Sequence, residues 1–171
     1  MSRACALSHC RNLPDTDTPE PIITPYGSIS GVMWHDICEF TGGHAGEPVV
    51  LGLGCEELGP DEWQFGPNQI FDAFEIGWEG VTVHVGVGAC PSTGMAFIET
   101  NSEGEYLFEA IPPGTYCVSY DPLADGNDVI LIPGGPTYPI RGEAGRYWTV
   151  ELAEGGDEAR LNSGYAWQFY D

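Results

Sequence analysis

The sequence predicts an all-β fold, an antiparallel β-sandwich of short strands, on three observations. Bulky apolar side chains recur at every second position, as Tyr106 and Phe108 and then as Tyr116, Val118 and Tyr120. Side chains alternate across a strand, so this spacing gathers them on one face. Pro112, Pro113 and Gly114 separate the two runs, the prolines fixing φ and the glycine permitting the reversal. Finally, 24 Gly and 14 Pro are spread through 171 residues, which leaves little room for long helices and demands frequent turns. A chain of this length suffices for one well-buried domain, here expected at 27–171.

The elements follow in order. Residues 1–26 are rich in proline and acid with little periodicity (LPDTDTPEPIITPYG), so an extended N-terminal segment is expected. Residues 28–36, SISGVMWHD, read as the first strand, with Gly31 as a bulge or a site of close approach. Residues 39–77 are glycine-rich and read as a long, loop-rich insertion with short strands. Val81, Val83, Val85 and Val87 alternate with polar or small residues, the clearest half-buried strand in the chain. His84 falls on the polar side of that strand and reads as a solvated residue rather than a ligand. Strands are expected at 95–100, 105–111 and 115–120, with Gly104 as the positive-φ residue of the turn before the second. Residues 121–128 read as a loop, 129–132 as a short apolar strand and 133–139 as a turn-rich link. Trp148, Val150 and Leu152 alternate, as do Tyr165, Trp167 and Phe169 in the closing strand.

The formal charge of −21 arises from 26 carboxylates against five arginines, with no lysine. No lysine or arginine lies between Arg11 and Arg141. Nucleic acid is thereby excluded as a partner, because phosphate contacts depend on Lys and Arg. An anionic membrane surface repels the chain too, and no segment has the length of apolar residues needed to span a bilayer. Cations, calcium above all, and basic partners suit the charge.

Six cysteines, Cys5, Cys10, Cys38, Cys55, Cys90 and Cys117, show no CxxC spacing, and the four histidines are scattered. Disulfides in an oxidising compartment are therefore expected over a zinc site. Spacing does not choose among about 15 connectivities. The local set Cys5–Cys10, Cys38–Cys55 and Cys90–Cys117 is the expectation. Residues 1–14 do not read as a secretory signal, since MSRACALSHC has no apolar run.

The series ISGVMWHD, GWEGVTVHV, TNSEGEYLFEAIPPGTYCVSY and a late TVEL resembles the B-type domains of bacterial surface proteins, the SdrD B-like and Cna B-type (carboxypeptidase regulatory-like, prealbumin-like) group. The resemblance spans 28–120 well and the rest loosely. It implies an Ig-like sandwich on the outside of a bacterium, serving as stalk, spacer, adhesin or pilin subunit. Many members of the group crosslink themselves through a Lys–Asn isopeptide bond; without lysine this chain cannot, and disulfides are the substitute. Calcium-binding members carry a more acidic turn where Asn101, Ser102 and Glu103 stand here.

Asp121, Asp125, Asn127 and Asp128 surround Gly126 and form the candidate calcium site, since hard cations need several oxygens converging on a sharp turn. The loop lacks the ligand spacing of an EF-hand. Carboxylate pairs such as Glu56/Glu57 and Asp61/Glu62 lie on loops, and no GxSxG elbow, P-loop or dinucleotide fingerprint occurs, so neither an enzyme nor a cofactor site is expected. Trp63, Trp78, Tyr138, Tyr147 and Trp148 are candidates for a sugar-stacking platform. The functional expectation is a non-catalytic extracellular structural protein that self-assembles by strand addition. Ile22, Ile23 and Thr24 would pair with a sheet edge of the next copy, yielding a filament or surface layer. The alternative is a monomeric surface module binding calcium, carbohydrate or a host ligand.

Overall fold

The computed structural model describes residues 26–43, 47–60 and 64–167. The expectations for Cys5, Cys10, Ile22, Ile23 and Thr24 lie outside the described residues, as do those for Asp61, Glu62, Trp63 and Phe169. β1 (Gly27–His35) is the first strand anticipated above. The insertion then forms two small antiparallel ribbons: β2 (Phe40–Thr41) pairs with β3 (Val50–Leu51), and β4 (Cys55–Glu57) pairs with β5 (Phe65–Pro67). β6 (Thr82–Val87), β7 (Ala96–Glu99), β8 (Glu105–Ile111) and β9 (Gly114–Ser119) follow where alternation places them. In β8, Tyr106 and Phe108 are buried while Leu107 between them is exposed, as period-two spacing requires. Gly104, at φ 76°, makes the turn into β8.

Two short stretches exchange roles. Residues 129–132, expected as a strand, lie in and just beyond a single helical turn, α1 (Asp128–Leu131), in which the Asn127 carbonyl accepts from Ile130 N and Leu131 N. Only Leu131 is fully buried there, and periodicity cannot separate helix from strand in so short an apolar run. Residues 133–139, expected as a link, contain β10 (Gly134–Tyr138). An edge strand tolerates Pro136 because one of its sides needs no ladder bonds. After a 3-10 turn at Glu143–Arg146 come β11 (Tyr147–Leu152), β12 (Glu158–Arg160) and β13 (Ser163–Trp167).

The strands form the two layers of a β-sandwich. One sheet holds β10, β13, β1 and β8, with β12 also on β1; the other has the order β11-β9-β6-β7. Pairing is antiparallel except that β1 runs parallel to both β12 and β13. Ser28 opposes Glu158 and Met33 opposes Ser163, the same offset, so β12 and β13 are one interrupted line along β1. At the interruption, the Asn162 side chain accepts from Val32 N at 3.1 Å. Gly31 sits beside it, and a Cβ there would collide with the Leu161 carbonyl and the Tyr106 hydroxyl. That room lets Tyr106 donate to Leu161 O at 2.6 Å.

A single core lies between the layers. Ile29, Met33, Phe108 and Tyr165 from one sheet meet Val83, Val85, Val118 and Leu152 from the other. Full burial contributes about 1.5–3 kcal/mol for each such side chain. Cys90–Cys117 staples the β6–β7 connection to β9, and Cys38–Cys55 closes the start of the insertion. Both bridges match the expected pairing.

The insertion is fixed to the sandwich by aromatic and ionic contacts. Trp34 of β1 stacks on Phe71 at 5.5 Å and lies 5.5 Å from Tyr138 of β10. Arg141 donates to Glu56 Oε1 at 2.6 Å and to the Pro67 carbonyl. Among the described residues, no helix is long and apolar enough to cross a membrane.

Candidate functional site

Two surface features of the four-stranded sheet stand out, a cleft over its outer face and the free edge at β7. The cleft follows from alternation. Val83 and Val85 face the core, so His84 faces out. His84 lies opposite Ser119 of β9, which in turn lies opposite Tyr147 of β11, so the three form a row across the sheet. The loop 121–128 rises beside this row and closes one wall. The resulting hollow has a volume of about 380 Å³ and is lined by His84, Ser119, Tyr147, Asp121, Asp125 and Arg146, among others.

Asp125 takes φ 57°, a left-handed conformation that few residues other than Gly, Asn and Asp adopt readily. Its Oδ2 lies 2.8 Å from His84 Nε2. His84, read from sequence as a solvated residue, is therefore the partner of a loop carboxylate. The Asp121 Oδ1 accepts from Leu123 N at 2.9 Å, which shapes the start of the loop. Asn127 is fully buried; its Oδ1 accepts from Thr82 N at 2.7 Å, and its Nδ2 donates to the carbonyls of Thr82 and Asp121. Its carboxamide is taken up by the backbone and anchors the loop to β6. Asp128 is exposed at the first position of α1.

Among the described residues, no group of three or more His, Cys, Asp or Glu side chains converges as metal ligands do. The turn before β8 is self-contained, the Asn101 Oδ1 accepting from Glu103 N at 3.1 Å and Glu105 N at 2.8 Å. Glu56 is engaged by Arg141 and by Gln69 Nε2 at 2.9 Å, contacts that hold its carboxyl below the usual carboxylate range. Two other carboxyls are buried under the insertion. Asp36 accepts from Gln69 N at 3.2 Å, and Glu75 accepts from Ile37 N at 2.6 Å and Asp72 N at 2.9 Å. Burial pushes both pKa values up. Of the aromatic candidates, Trp78 and Trp148 pack in or against the core and Tyr138 lies against Trp34. Tyr147 alone lines the cleft, its residue 50% exposed.

β7 pairs only with β6 among the described strands, so its outer side carries no strand ladder. Met95 and Phe97 project from its outer face, Phe97 with 68% of its surface exposed. The other marginal strands carry features that discourage pairing. β10 contains Pro136, β8 carries Glu105 and Glu109, and β11 carries Glu151. Proline and charge are common means of protecting an edge. β7 has a single terminal Glu99.

No family model matches the chain, and no curated protein matches it, so the likeness read from its motifs stays a likeness. Among solved structures the chain is similar to the full-length major pilin SpaD from Corynebacterium diphtheriae, at 13% identity and a TM-score of 0.38. The similarity covers 81% of this chain and 32% of the pilin chain, so this chain spans about a third of that structure's length. So distant a likeness says nothing about what the chain does.

Proposed function

We propose that the chain is a non-catalytic structural module of a bacterial cell surface that joins copies of itself through strand addition. The supporting observation is the β7 edge: short, unprotected by lysine or proline, and bearing the exposed Phe97. Two disulfides, one of them joining Cys117 in the core to Cys90, fit an oxidising extracellular setting. The donor is the segment around Ile22, Ile23 and Thr24, whose neighbours Pro19, Pro21 and Pro25 confine the added strand to a few residues. Because donor and acceptor are different surfaces, the contact is head-to-tail and produces an open polymer.

Light scattering on the full chain tests this reading. Ile23→Asp and Phe97→Asp should each reduce the assembled mass to that of a monomer, and Phe97→Asp should leave the melting temperature nearly unchanged, since Phe97 lies outside the core. Polymers of wild-type size from both variants would reject strand addition at this edge.

A further inference from the structure

We propose that the cleft over the outer face of the four-stranded sheet binds a neutral sugar. The site adjoins the assembly surface without sharing its residues: the Phe97 ring lies 5.9 Å from that of His84, but neither Met95 nor Phe97 lines the cleft. Its volume of about 380 Å³ falls within the range of small-ligand sites, roughly 300–1,000 Å³.

The lining selects the ligand by exclusion and by fit. Asp121 and Asp125 oppose an anion, while the Arg146 guanidinium opposes a cation. The absence of a converging carboxylate trio among the described residues argues against a hard cation in the same way. An uncharged ligand rich in hydroxyls satisfies both signs at once, because each hydroxyl donates to a carboxylate and accepts from a guanidinium, imidazole or Ser119 hydroxyl. Tyr147 adds a half-exposed ring for the C–H face of a pyranose, the apolar side of an otherwise polar molecule.

The site is also held in place before any ligand arrives. His84 and Ser119 sit on central strands, Asp125 is fixed by its contact with His84, and Asn127 ties the loop to Thr82. Such prior ordering lowers the entropy lost on binding.

Saturation-transfer NMR on the full chain tests the proposal, with N-acetylglucosamine, cellobiose and galactose as probes and calcium chloride and inorganic phosphate as competing arms. At least one sugar should bind saturably, and both Tyr147→Ala and Asp125→Ala should weaken it about tenfold or more. Ser119→Tyr, which fills the cleft from a rigid strand, should abolish binding and guards against a loop that Asp125→Ala merely loosens. The idea is overturned by three outcomes: no saturable sugar, sugar binding equal in all variants, or displacement of a sugar by calcium or phosphate at stoichiometric ratio. Light scattering of the same samples reports assembly independently, so a wild-type chain that polymerises but takes up no sugar condemns this site and not the structural role.

Discussion

Asn127 carries more of the loop's geometry than any of its acidic neighbours. With its carboxamide accepting from Thr82 N and donating to Thr82 O, the side chain imitates a paired strand at the edge of β6. From sequence it belonged to a calcium constellation, since Asn on an acidic turn is a common oxygen donor. Nothing in one-dimensional order reveals that the side chain is buried under the loop. Asn127→Ala would leave a buried donor and acceptor of Thr82 without partners. Urea unfolding should show a loss of about 1–3 kcal/mol. A change within about 0.5 kcal/mol, the scatter of ordinary surface substitutions, would mean the two bonds are dispensable.

Among the elements, those with long-range partners and strong alternation were legible: β6, β8 and β9 could be placed because each buries one face. β12 was not, for Glu-Ala-Arg has no apolar pattern and owes its extended form to parallel pairing with β1. The cleft was half legible. Its loop announced itself through Asp, Asn and Gly, whereas the row of His84, Ser119 and Tyr147 depends on register that no local signal encodes. The insertion gives a pH prediction. Asp36 and Glu75 have pKa values raised by burial, so the folded chain binds more protons than the unfolded one between the ordinary carboxylate value and the raised ones. Their contribution to stability is complete below that window and disappears as pH rises through it. Glu56, shifted the other way by Gln69 and Arg141, contributes above the ordinary value and loses its effect in acid. Asp36→Asn removes one of the raised groups while keeping its shape. The variant should gain on wild type at neutral pH and lose that gain near pH ~4, judged by urea midpoints. Parallel pH profiles for the two proteins would show that burial does not raise the pKa of Asp36.

For the whole molecule, the balance of −21 sets the terms of any self-association. Copies of so acidic a chain repel one another, and the donor region adds Asp15, Asp17 and Glu20 to the approach. In the proposed assembly, the apolar contact at Phe97 must overcome that repulsion. Screening shortens its range to about 10 Å at 0.1 M salt and about 3 Å at 1 M. Polymer mass should therefore rise steeply with sodium chloride between about 10 mM and about 500 mM, followed by light scattering. Assembly that weakens with salt would point to oppositely charged surfaces in contact, and the β7 edge would not be the place.

The parallel line of β12 and β13 along β1 has a mechanical corollary. Because the opening and closing strands run the same way, β1 begins at one pole of the sandwich and β13 ends at the other. A pull applied across those two points loads the intervening backbone bonds side-on and all together, as a lap joint is loaded, instead of peeling them one by one. A tether built from such units would resist stretching along its own axis and yield far more readily to a force that prises an outer strand away.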